Sequence, residues 1–169
     1  LCDTLVPGNL AQDDFVCAHN SVREDVTPEA SPPLLGMSWD DDLAVVAQAW
    51  AESCTWAHNP DRNADYESVS GEAISVGENL YMSTASTVSP FDAVAAWASE
   101  VQHYDYATNS CAPGEVCGHY TQLVWRESLQ VGCGIAFCGT VLNEPSFIDA
   151  TVVVCNYAPG GNIIDLKPY

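Results

Sequence analysis

Apolar residues recur at helical spacing in three stretches of the chain. In DDFVCAHNSVREDV, residues 13–26, Phe15, His19, Val22 and Val26 lie four, three and four positions apart, which predicts an amphipathic helix with His19 facing inward. In residues 40–54, DDDLAVVAQAWAESC, the stripe is Leu43, Val46, Ala47, Trp50 and Cys54, with Asp40 as N-cap and an end shortly before His58. Residues 89–106, SPFDAVAAWASEVQHYDY, open with Ser89 as N-cap and Pro90 at the first helical position, so a third helix is expected to run to about Tyr104. Ala93, Trp97, Glu100 and Tyr104 then share a face, which sets a carboxylate beside a buried tryptophan.

Other stretches read differently. TPEASPP, residues 27–33, is a proline-punctuated connector, and residues 59–77 turn polar and irregular, a loop that feeds the short ordered segment GENLYMS. VGCGIAFC and IDATVVVCNY, rich in β-branched and aromatic residues and bounded by Gly, Asn and Pro, predict two strands joined by a loop. Cys133 and Cys138 differ by an odd number and so face opposite sides of a strand: one can bond within the sheet, the other to a helix packed on it. The expected fold class is α+β, with helices on both faces of a small, mostly antiparallel sheet. One domain spans residues 1–169, with residues 1–10 as an N-terminal arm, and there is no internal repeat.

Composition narrows the class of function. A 169-residue chain can bury roughly two thirds of its unfolded surface, enough for one core. No apolar run approaches the roughly 18 residues of a membrane span, and no leader precedes Leu1, so a mature chain is expected. Eight cysteines without zinc-knuckle spacing point to disulfides and a secreted, extracellular protein, although spacing alone does not choose their partners. A formal charge of −19 makes nucleic acid and anionic membrane surfaces repelled partners. The same charge suits either cation attraction or a plain solvated surface.

His58, Glu78, Glu100 and His119 are the groups suited to bind a cation or move a proton. Two imidazoles and two carboxylates fit zinc or another borderline divalent ion, and would equally satisfy one another as His–Glu hydrogen bonds.

Five strings, HNSVR, GENLY, GHYTQLVWRES, VGCG and CNYAPGGN, stand in the order seen in the cysteine-rich secretory protein, antigen 5 and pathogenesis-related protein 1 (CAP) superfamily. The chain resembles that family over nearly its whole length. It is most similar to the plant-type pathogenesis-related protein 1 branch, including the terminal pattern of residues 159–169. The resemblance implies an α-β-α sandwich whose cleft holds a divalent metal, zinc by expectation, among His58, Glu78, Glu100 and His119. It also implies a scaffold role for His19, and it leaves His103, which matches no motif, as a surface residue. The implied disulfides are Cys54–Cys138, Cys111–Cys117 and Cys133–Cys155, with Cys2 and Cys17 left to pair with each other. The connector at residues 27–33 and the insertion LNEPSFID, residues 142–149, depart from the plant pattern.

By the same resemblance the expected function is non-catalytic: a monomeric lipid- or sterol-binding or defence-type effector. Pro145, Phe147 and Ile148 fall in the loop to which sterol binding is attributed in relatives, and they also suit an ordinary hairpin loop. A metal-dependent hydrolase with Glu78 or Glu100 as general base is the alternative, although the chain has neither an HExxH helix nor a GxSxG elbow. A third reading is a precursor of a C-terminal signalling peptide, residues 159–169.

Overall fold

The computed structural model describes residues 10–169. Helix α1 (Leu10–Glu24) precedes a two-residue strand β1 (Ser38–Trp39), helix α2 (Asp41–Glu52) and helix α3 (Arg62–Ser70). Strand β2 (Gly77–Ser83) leads to helix α4 (Pro90–Ala98) and a 3₁₀ turn (Ser99–His103). A ribbon of β3 (Tyr104–Asp105) and β4 (Ser110–Cys111) is followed by helix α5 (Gly118–Leu123) and the long strands β5 (Gln130–Thr140) and β6 (Ile148–Ala158).

The sheet runs β1-β5-β6-β2, antiparallel except for the short β1–β5 pair, so β2 lies at one edge. Its two faces bury different helices. On one, Cys133, Val153, Cys155 and Tyr157 pack with Phe15 and Ala18 of α1, Trp97 of α4 and Tyr120 and Leu123 of α5. On the other, Leu80, Val152 and Val154 meet Ala47 and Ala51 of α2. This is the expected layered α+β architecture, and the alternation along each strand accounts for it.

The VGCG string explains how closely α2 can approach. A Cβ on Gly132 would stand 2.2 Å from Ala44 N, and one on Gly134 would stand 2.3 Å from Gln48 Cα. Any side chain at either position would push the helix off the sheet.

Cysteine parity works out as expected. Cys133 and Cys155 are cross-strand partners and form a disulfide; Cys138, on the opposite face, bonds Cys54 just beyond α2; Cys111 bonds Cys117. Cys2, the expected partner of Cys17, lies outside the described residues, as does most of the N-terminal arm.

Three sequence expectations need correction. Residues 59–77 are not all loop: α3 forms there on one buried anchor, Tyr66, too little apolar periodicity to detect, and stops at Gly71 in the left-handed region (φ 79°). The third helix starts as expected, with Ser89 and Asp92 making a capping box, but it tightens into 3₁₀ geometry after Ala98. The second helix ends at Glu52, so Cys54 (φ 53°) lies beyond it.

Candidate metal and ligand cleft

His58 follows α2 on an exposed loop, and Glu78 comes up under it from β2. The carboxylate can only accept, so His58 Nδ1 carries the proton and donates to Glu78 Oε1 at 2.8 Å. The same oxygen accepts from Asn59 N at 2.9 Å. The Glu78 side chain is fully buried while that of His58 is 60% exposed. Glu78 Oε2, also buried, has no hydrogen-bond partner among the described residues.

Glu100, in the 3₁₀ turn, makes the second pair. Its Oε1 accepts from His119 Nδ1 at 2.6 Å, and its Oε2 accepts from the backbone N–H groups of His119 (3.0 Å) and Tyr120 (3.1 Å) in the first turn of α5. One carboxylate thus fixes an imidazole and satisfies two amides that a helix start leaves without partners. Trp97 stacks on the His119 ring at 6.3 Å between centroids, so the tryptophan expected beside Glu100 packs on its partner histidine.

Successive residues of β2 connect the pairs. Glu78 faces the α2 side, and Asn79 faces the other, where its Nδ2 donates to His119 O (3.1 Å) and to Tyr157 OH (3.2 Å). Tyr157 OH in turn pairs with His19 Nε2 at 2.9 Å, and His19 Nδ1 donates to Phe15 O at 2.7 Å. His19 is therefore neutral and fully buried, and burial brings its pKa down to about 4. Arg23 of the same helix is held by the carbonyls of Leu35, Leu123 and Trp125. His103 is half-buried, with Nε2 3.6 Å from Glu115.

A cavity of about 460 Å³ opens beside His58, lined among others by Arg62, Glu78, Gln122, Gly160 and Ile164. Sequence reasoning missed Asn79, Gln122 and Tyr157. Gln122 donates to Ser128 Oγ (2.9 Å) and accepts from Gly161 N (2.9 Å), which closes the CNYAPGGN turn onto α5. All three lie inside the quoted motifs, but nothing in their spacing shows that Asn79 and Tyr157 link two histidines or that Gln122 holds the turn. Among the described residues, no three His, Cys, Asp or Glu side chains converge as a metal-ligand group; the four predicted residues form two pairs.

In the segment of residues 142–149, Pro145 is exposed in the loop and Ile148, exposed too, already opens β6 opposite Thr140, contrary to its expected loop placement, whereas Phe147 packs against the cluster around Ala51, Cys138 and Val141. The terminal segment is held down: Arg126 N donates to Pro168 O (2.7 Å), Asn109 Nδ2 to Leu166 O (3.1 Å) and Tyr106 OH to Tyr169 O, with the two tyrosine rings stacked.

Comparison with known proteins agrees with this architecture. The family model for the cysteine-rich secretory protein family (CAP) matches residues 16–157, and the chain belongs to that family. It is 40% identical over 155 residues to mouse peptidase inhibitor 16, covering 92% of this chain and 28% of that protein. It is 38% identical over 157 residues to human GLIPR1-like protein 1, covering 93% and 62%. Tobacco pathogenesis-related protein 1B is 37% identical over 163 residues, covering 94% and 81%. The chain thus spans less than two thirds of those two animal proteins. Among solved structures, venom allergen-like protein 4 of Schistosoma mansoni superposes with a TM-score of 0.72 at 26% identity, covering 98% of this chain and 95% of that one. NaASP2 with Zn²⁺ superposes at 0.68 and 23% identity, covering 96% and 86%, a likeness of fold.

Proposed function

We propose that this chain is a secreted, monomeric, non-catalytic CAP-domain binding protein whose cleft takes a divalent cation, zinc first, on the Nε2 atoms of His58 and His119. The observation that carries this reading is that both imidazoles have Nδ1 held by a largely buried carboxylate, which leaves Nε2 as the ring nitrogen to bind a cation. Glu78 and Glu100 are then the groups that orient the donors. Two imidazoles leave the remaining tetrahedral positions to water or to an oxygen of a ligand. The non-catalytic reading is supported at Glu78 Oε2: it is the one carboxylate oxygen of the two pairs not already engaged, and it is sealed from the water that a general base would have to reach. Secretion is supported by the disulfides and by the family, and the −19 charge argues against nucleic acid and anionic membranes as partners.

Calorimetric titration with zinc tests the site. Wild type is expected to take up one equivalent, and His58→Ala with His119→Ala to take up none. Uptake should also weaken as the pH is lowered, because protons compete for the imidazole nitrogens. Unchanged affinity in the double variant would move the cation to the acidic surface. A sterol or small lipid at the loop of residues 142–149 is the second ligand class, supported by the 62% exposure of Ile148. Ile148→Asp should weaken binding of labelled cholesterol with little change in melting temperature. Phe147→Asp is a poorer probe, because Phe147 is part of the packing.

A further inference from the structure

Among the described residues the edge of the sheet opposite β2 is largely uncovered. β1 pairs only with Gln130 and Val131, so residues 132–140 of β5 have no described neighbouring strand on that side. Such a row of backbone groups is a template for another strand. At Ile135 the template is already in use: Ile135 N donates to Gln48 Oε1 (3.0 Å), and Gln48 Nε2 donates to Ile135 O (3.1 Å). The side-chain amide of α2 does for Ile135 what the peptide group of an added strand would do.

This edge lies in a groove of about 600 Å³ between α1 and α2. Phe15, Trp39, Ala44 and Val45 make its walls apolar, and Val45 is 55% exposed. Asp41 and Glu52 also line it, and among the described residues no Lys or Arg does.

We propose that the open edge of β5 is a docking groove for an extended basic peptide, which adds as a strand beside β5 in the place now held by the Gln48 amide. The backbone ladder selects an extended segment, and the apolar walls accept alternate side chains. Asp41 and Glu52, on a chain of charge −19, select Lys and Arg over acidic residues. Gln48 is the gate: it keeps the edge satisfied until a strand with more hydrogen bonds displaces it. The inference uses none of the four cleft residues and stands apart from the cation reading.

Fluorescence anisotropy at physiological salt tests it, with a labelled, end-capped hexapeptide of alternating lysine and valine. Two further peptides serve as comparisons, one with proline at the centre and one with glutamate for lysine. The first should bind, and the others should bind about tenfold more weakly or worse, since proline cannot complete the ladder. Gln48→Ala should tighten binding several-fold by freeing Ile135, and Ala49→Arg, on the exposed wall of the groove, should weaken it about tenfold. Equal binding of the proline peptide, or no response to Ala49→Arg, would mean general ionic attraction and overturn the proposal. So would absence of binding. Concentration-dependent dimers in sedimentation, abolished by Ala49→Arg and without peptide binding, would give the edge to a second copy of the chain instead.

Discussion

At the His119–Glu100 pair both carboxylate oxygens are engaged, one by the imidazole and the other by two backbone amides of α5. At the His58–Glu78 pair one oxygen holds the imidazole and Asn59 N, and the other is buried without a partner among the described residues. The residue types are the same, but the scaffolds differ. His119 stands on a helix stacked on Trp97, and its backbone is tied through Asn79 and Tyr157 to His19 in the core. His58 stands on a loop, close in sequence to the Cys54–Cys138 disulfide and more than half exposed. One pair is held by the protein interior, and the other stands on a surface loop tied down by the disulfide and by hydrogen bonds from Trp50 Nε1 to Ala57 O and from Arg62 to Asn59 O.

Removing that link should have the largest effect. Cys54→Ser with Cys138→Ser reopens a separation of 84 residues, for which the chain-entropy model gives a loss of about 4 to 5 kcal/mol in denaturant unfolding. In the folded fraction the ring resonances of His58 should move and those of His119 should not. If both move equally, the two scaffolds are not separate.

Acid comes next, and it acts on the core side. Burial holds His19 at about 4, below its ordinary 6.5, so between those values the unfolded chain binds a proton that the folded chain refuses. Stability is complete above pH 6.5 and falls as pH drops towards 4, by on the order of 3 kcal/mol at most. Melting temperature against pH should show this slope, and His19→Gln should flatten it at a lower starting stability.

A smaller effect separates the two carboxylates directly. Glu100→Gln places an amide against either the imidazole N–H or two backbone donors and should cost about 2 to 3 kcal/mol. Glu78→Gln can put its NH₂ where Oε2 already lacks a partner and should cost about 1 kcal/mol. Equal costs in urea denaturation would erase the distinction between the pairs.

Much of the frame was legible in the residues. Ser89 and Pro90 announced α4, Asp40 capped α2 as read, and the odd spacing of Cys133 and Cys138 separated an in-sheet disulfide from one to the helix side. Those features are local, fixed by the 3.6-residue and two-residue periods. α3 was not legible, because one tyrosine and a glycine stop make no period, nor was the 3₁₀ tightening that carries Glu100. The four cleft residues could be named from their types and from the family resemblance, but their pairing could not be read from composition or spacing: Glu78 meets a histidine 20 residues before it, and Glu100 one 19 residues after it.

What the sequence determined by itself is whatever depends on neighbours along the chain: helix starts and strand faces. Only the tertiary structure decided that Asn79 and Tyr157 link His119 to His19, that Phe147 turns inward while Ile148 stays in water, and that Gln48 covers an open strand edge. Each of these joins groups far apart in sequence, and a buried donor or acceptor takes whichever partner the packing brings within about 3 Å, a condition that no local period encodes.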